Sequence, residues 1–312
     1  METTKIQAVR TIVSHDNCGD GTASALLLRD AIPDAEVQFV QYGTAAYRDL
    51  VASPGMLFCD ICPPAERAEE FVRAGAIVLD HHRTARAVVE KFGSNGVFAD
   101  ETREPGVSGA MLAYREVWGP LKATQSAPSV QAWAEKFATL TGIRDTWQNK
   151  SPLWDEACRQ GNLMHFMPNT DWLRISLPEL AANWDSHFEW IGHVLTARHT
   201  KAVQKSIGRA GQYQTARGTR VVIFNSTAHT SDAVESLGAE ADLVAGFAYE
   251  VESGQERMSV SSRSRNNFDC SAFAKMFGGG GHLRAAGFSV PVGEKSPYNT
   301  ILELISQFEA NQ

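Results

Sequence analysis

Three short apolar runs near the start of the chain each end in a carboxylate or an imidazole. Ala8 to Ser14 runs into His15 and Asp16, Met56 to Cys59 into Asp60, and Ala76 to Leu79 into Asp80, His81 and His82. A fourth strand-like run covers Glu36 to Tyr42. Between them, residues 22–32 (TASALLLRDAI) and 64–74, opened by Pro64, carry helical patterns. This β-α-β-α rhythm predicts an α/β domain with a parallel sheet. Helices over Gly106 to Trp118 and Gln131 to Thr141 are expected to cover it. Ligands of doubly wound sheets bind beyond the carboxyl ends of the strands. The polar endings therefore constrain the fold and the site together.

The pattern changes from Asp171 to Arg209, where Leu173, Leu177, Leu180, Trp184, Phe188, Ile191 and Leu195 recur at helical spacing. Strands resume at 217–225, 241–250 and 257–264, followed by a helix (CSAFAKMF), a GGGGH stretch and GFSV. The expected organisation is an α/β domain at 1–170, a mainly helical connector at 171–210 and a smaller α/β domain at 211–312. The formal net charge of −7 argues against wrapping long duplex DNA, but not against gripping a short strand with a few Arg residues and metal ions. No apolar run reaches the roughly 18 residues of a membrane span, and METTKIQAVRTIVSHD lacks a signal peptide's apolar core. A cytoplasmic protein without membrane contact is expected. Five cysteines, an odd number, suit a reducing compartment, and Cys59–Cys62 has no second CxxC to complete a four-sulfur site.

Hard and borderline metal ligands gather at four predicted element ends: His15, Asp16 and Asp20; Asp60; Asp80, His81 and His82; and Asp145. A lone Asp at a strand end is usually a turn or cap residue, so the joint placement is the informative fact. Carboxylates with imidazoles suit Mn²⁺, with Mg²⁺, Co²⁺ or Fe²⁺ as competitors. A bridging carboxylate would hold two such ions about 3.5–4 Å apart and arm a water for phosphoester or phosphoanhydride hydrolysis. His165, His187, His193, His199 and His229 show no metal spacing and are read as surface or core residues. Trp147 and Trp154 are read as packing residues ahead of base-stacking platforms.

These stretches (SHDNCGDGTASA, FCDIC, LDHHRTA, IRDTW and VSSRSRNNFDCSAFAKMFGGGGHLRAAGFSV) resemble the DHH phosphoesterase superfamily, in the branch with a C-terminal DHHA1 domain. Within it the motifs look most similar to the nano-RNase B type of oligoribonuclease. The resemblance implies a DHH domain followed by a DHHA1 domain, with two divalent metal ions. It implies that His15, Asp20, His81 and Asp145 are metal ligands and that Asp60 bridges both ions. By the same carry-over His82 faces the scissile phosphate, and Asp80 orients an imidazole. The first motif departs from the family's: a carboxylate usually stands two residues before Asp20, where this chain has Cys18, and the loop from His15 to Asp20 is one residue longer. Asp16, a water or a Cys18 thiolate would fill that place, with Asp16 or water preferred.

Four glycines before His282 offer a backbone that closely approaches a ligand, and Arg263 one helix earlier can hold a phosphate bidentately. The resemblance implies that Arg263, Gly279, Gly280, Gly281 and His282 hold the phosphate or terminal base of a nucleotide. Asp269 reads as the N-cap of the CSAFAKMF helix. The expected activity is a phosphodiesterase cutting short single-stranded oligonucleotides to mononucleotides. The alternatives are a phosphomonoesterase on 3′-phosphoadenosine 5′-phosphate, a cyclic-dinucleotide hydrolase, an exopolyphosphatase or pyrophosphatase, and, in another class, a non-catalytic nucleic-acid-binding or nucleotide-sensing protein.

Overall fold

β1 (Thr11–His15), β2 (Glu36–Val40), β3 (Met56–Cys59), β4 (Ile77–Asp80) and β5 (Gly96–Phe98) form a parallel sheet in the order β2-β1-β3-β4-β5. The structure, a computed structural model, describes residues 2–312 apart from 101, 123, 229, 253 and 267. β3 and β4 are buried along their whole length, as parallel strands covered on both faces must be. Alternation along the strands sends Ile12, Leu57, Ile77 and Leu79 into one apolar cluster and Val13, Phe58 and Val78 into another. Helices Gly19–Ala31, Gly109–Ala113 and Pro128–Asp145 contribute to the first cluster. Within it the buried Trp118 donates Nε1–H to Asp30 Oδ2 at 2.8 Å.

The chain leaves β1 for β2 on one side and returns to β3 on the other. The strand order therefore reverses between β1 and β3, and a crevice opens beyond their carboxyl ends.

The chain divides into two units, Met1–Thr196 and Ala197–Gln312, and the division falls within the helix Glu189–Ile207. Segment 171–210 is mainly helical, yet Trp172, Leu177, Leu180 and Trp184 pack into the first unit's core, while Val203 belongs to a cluster of the second. The second unit holds β6 (Gly211–Gln214), β7 (Arg220–Phe224), β8 (Leu243–Glu252), β9 (Gln255–Arg263), β10 (Gly280–His282) and β11 (Ala285–Pro291). Their order is β10-β11-β9-β8-β7-β6, with β7 and β8 parallel and the other neighbours antiparallel. One face packs on the helices Cys270–Met276 and Pro297–Ala310, through Phe273, Ile301, Ile305 and Phe308; the other packs on Thr230–Leu237. The sequence patterns did not foresee β5, β6 or the helices Trp154–Met164, Thr230–Leu237 and Pro297–Ala310. Among the described residues no helix is long and apolar enough to cross a membrane.

Candidate metal centre

The strand ends converge on the crevice between β1 and β3. His15 closes β1, Asp60 follows β3, and Asp80 closes β4 with His81 and His82 behind it. Asp60 sits at φ 62°, a left-handed conformation that a β-carbon disfavours. Its N–H donates to Leu79 O at 3.0 Å, so the turned residue stays tied to the neighbouring strand. The two adjacent histidines lie beyond the end of β4 and do not diverge as strand residues would: their ring centroids are 4.5 Å apart, and both rings approach Asp60. His81 is buried, with Nε2 at 3.1 Å from Asp60 Oδ1 and 3.5 Å from both Asp20 Oδ2 and Asp145 Oδ2. His82 turns back on Asp80, whose Oδ1 accepts from both its backbone N–H and Nδ1 at 2.8 Å.

Asp20 enters from the first turn of the Gly19–Ala31 helix, where a carboxylate suits the helix dipole. Its two oxygens accept the backbone N–H groups of Gly109 (2.6 Å) and Ala110 (2.8 Å). Asp145 is the last residue of the Pro128–Asp145 helix, where the dipole disfavours an anion, so a partner for that charge lies outside its own helix. The following turn is left-handed at Trp147 (φ 57°) and is braced by the Arg144 guanidinium, 4.3 Å from the Trp147 ring centroid and 5.4 Å from that of Trp154. These two tryptophans pack the turn from which Asp145 projects.

Two glycines let the parts meet. A β-carbon on Gly21 would run into His15 O and stand 2.9 Å from His15 Cβ. One on Gly109 would stand 2.6 Å from Asp60 Cβ and 2.9 Å from both Asp20 Oδ2 and Ser24 Oγ. Sequence reading missed both: Gly21 is set by the turn back onto His15, and Gly109 by contacts with residues far away in the chain.

The electrostatics show a surplus of buried negative charge. Asp20, Asp60, Asp80 and His81 are each 3% exposed or less. Burial pushes the Asp20 carboxyl well up, and Asp60 and Asp145 push it further. Burial opposes the ionisation of Asp60 too, but the facing His15 and His81 imidazoles hold it well below the usual carboxylate range. Burial works against the charged form of His81, and Asp60, Asp145 and Asp20 outweigh it, raising the imidazole well above its ordinary value. Against the same burial, Asp80 raises His82 to about 9, and His82 in turn lowers Asp80. The Cys18 thiol is pushed up by burial and by Asp60, Asp145 and Asp20. A divalent cation would relieve all of these groups at once.

The donor set fits such a cation. Ligand atoms lie within 4.8 Å of one another in three overlapping groups: His15, Cys18 and Asp60; Asp60, His81 and His82; and Asp20, His81 and Asp145. His15 Nδ1 and Asp60 Oδ2 are buried 3.6 Å apart without a hydrogen bond. All five sequence-derived ligands, His15, Asp20, Asp60, His81 and Asp145, fall in these groups. Asp16 does not. Its carboxylate accepts from Asn17 N–H at 2.9 Å and Asn169 Nδ2 at 3.2 Å, whereas Cys18 is the residue facing His15 and Asp60.

In the second unit, Arg263, Ala285 and His282 stand in one cross-strand row, so their side chains share a face of the sheet. Arg263 donates Nε–H to Ser231 Oγ at 2.7 Å and Nη1–H to Ser262 O at 2.9 Å. Part of the glycine tract has a packing reason. The N–H groups of Gly278 and Gly279 cap the preceding helix on Lys275 O and Ala274 O. A β-carbon on Gly279 would strike Gly287 O, and one on Gly281 (φ 135°) would lie 2.5 Å from Ala285 O. Asp269 Oδ1 accepts Ala272 N–H as an N-cap. His199 pairs with Asp232 at 2.8 Å within the second unit, and His229 lies outside the described residues.

Residues 198–311 match the DHHA1 domain family. With acidic and histidine groups able to hold metal at the ends of a parallel sheet, this defines the class: a chain that carries a DHHA1 domain after an α/β unit with a candidate metal centre. Two solved structures share the fold. One is a pGpG-specific phosphodiesterase from Vibrio cholerae, 14% identical, covering 97% of this chain and 100% of the other with a TM-score of 0.53. The other is the DHH domain of a member of the s1p family of ribosomal proteins, also 14% identical, covering 99% and 87% with a TM-score of 0.62. No curated protein matches the chain in sequence.

Proposed function

We propose that this protein is a metal-dependent phosphodiesterase that hydrolyses short oligonucleotides, down to dinucleotides, to mononucleotides. The observation that carries this reading is the meeting of His15, Asp20, Asp60, His81 and Asp145 at the switch point of the sheet. His15 and Asp60 would hold one divalent ion, and Asp20, Asp60, His81 and Asp145 a second, with Mn²⁺ the hard-to-borderline ion that suits them. When bound, the pair would activate water and stabilise charge on phosphorus. Asp80 fixes His82 through Nδ1, so proton exchange with substrate falls to the opposite ring nitrogen, and a raised imidazole value keeps that proton available at neutral pH.

The DHHA1 unit would hold the non-reacting end of the substrate, with Arg263 and His282 flanking the small Ala285 on one face and the Gly279–Gly281 backbone beside them. The similar Vibrio protein is described as specific for pGpG, a linear dinucleotide at the short end of this substrate class. Initial rates with Mn²⁺ on labelled dinucleotides, strands of graded length, cyclic dinucleotides and 3′-phosphoadenosine 5′-phosphate test the reading. Fastest turnover of the shortest linear strands is the expected result. Preference for the monoester, or tight binding without turnover under several divalent ions, would replace it.

A further inference from the structure

We propose that Cys18 is a thiolate ligand of the first metal position, which makes one half of the centre softer than the other. The inference rests on the divalent-metal reading above and goes beyond it in ligand identity and ion preference. Cys18 Sγ, His15 Nδ1 and Asp60 Oδ2 converge within 4.8 Å. The other two atoms point at a cation independently of the cysteine. Gln41 Oε1 lies 2.5 Å from His15 Nε2 and also accepts the N–H of Tyr42 at 3.2 Å. The second bond orients the amide with its oxygen toward the ring, so Nε2 carries the proton and Nδ1 holds a lone pair. That lone pair faces the buried Asp60 Oδ2 at 3.6 Å, and neither atom has a hydrogen-bond donor. Two electron-pair donors buried against each other need a positive charge between them, and Cys18 supplies the third corner.

The local backbone explains why the cysteine reaches. Asn17 takes a left-handed turn (φ 52°), a conformation Asn tolerates, between the end of β1 and the Gly19–Ala31 helix. Cys18 then sits in extended conformation at the N-cap of the Gly19–Ala31 helix, its carbonyl accepting from Thr22 N–H and Oγ1–H. Asp16, the competing oxygen, is turned to Asn17 and Asn169. A thiolate favours Fe²⁺, Co²⁺ and Zn²⁺ over Mn²⁺ and Mg²⁺. The second position, built from Asp20, Asp60, His81 and Asp145, keeps the preference of a carboxylate-rich site.

The test loads the reduced full-length protein with Co²⁺ and measures both the ions bound and the thiolate-to-cobalt charge-transfer band in the near ultraviolet. The proposal expects two ions and the band. Cys18→Asp should keep two ions, lose the band, and lower the preference for Co²⁺ over Mn²⁺ by at least the roughly 10–100-fold that losing one metal-supporting group costs. A second measurement needs no variant: Co²⁺ should protect Cys18 from alkylation, read by mass spectrometry. Two bound ions without a band, or a band that survives in Cys18→Asp, would overturn the cysteine assignment and leave the two-ion reading standing. Failure to bind Co²⁺ at all would overturn both.

Discussion

Gly109 is the position where the geometry of the centre can be tested with a single methyl group. In Gly109→Ala the new carbon stands 2.6 Å from Asp60 Cβ, where ordinary contact begins at 3.4 Å. Asp60 is held by its strained backbone and by Leu79 O, so strand and helix must separate by about 1 Å. Overpacking of this kind costs about 1–3 kcal/mol. Replacing Gly by Ala within a helix returns about 0.5–1 kcal/mol. The net loss is about 2.5 kcal/mol or less, a Tm shift of about 10 °C at most for a unit of this size. The chemistry should suffer more, because a misplacement of about 1 Å costs roughly 100-fold in rate. Thermal unfolding, metal content and initial rates on a dinucleotide with Mn²⁺ should be measured together. Gly293→Ala is the control, since nothing lies within 4 Å of its would-be β-carbon. Wild-type rate and Tm in Gly109→Ala would refute the argument that Asp20 and Asp60 depend on this close approach.

Asp60→Asn keeps shape and removes the shared charge; metal content and Mn²⁺-dependent hydrolysis should both fall to background while circular dichroism is unchanged, and retained activity would remove Asp60 from its bridging role. In metal-free buffer the raised His82 value contributes stability that is fully present below an ordinary imidazole value of about 6.5 and lost as pH rises through about 9. With Mn²⁺ the trend reverses, because ligands such as His81 must release protons to bind. Tm between pH 6 and 9, with chelator and with Mn²⁺, should therefore diverge as pH rises, and parallel curves would contradict this. Arg263→Ala should raise KM for a dinucleotide about tenfold or more, the scale of a lost charge-assisted contact, with a smaller effect on kcat; an unchanged KM would take the phosphate-holding role from it.

The candidate ligands stood out because burial forces parallel strands to be apolar, so a polar ending on three of them contrasts with its own run. The period-two rule does not separate His81 from His82, because both lie past the end of β4 and turn their rings toward Asp60. Cys18 was legible only as the less favoured of three candidates, because its position depends on a left-handed Asn17 that local pattern does not signal. Gln41 lay hidden at a strand end, Gly21 owes its identity to the close approach of His15, and Gly109 to that of Asp60, Asp20 and Ser24. The glycine tract drew attention as an anion nest, yet the Gly278 and Gly279 amides serve a helix end and Gly279 and Gly281 make room for β11. Runs of glycine advertise close approach without saying to what. The late helices Thr230–Leu237 and Pro297–Ala310 were missed, although each carries an amphipathic face.

The left-handed backbone at Asp60 also sets how this lineage can lose its chemistry. Asparagine and glycine are the residues that accept such a turn most readily. A descendant drifting away from hydrolysis would keep its sheet intact by taking one of them there, discarding the charge and retaining the bend. An Asn or Gly at this position in a related chain would thus mark a protein that has kept the architecture and given up the reaction.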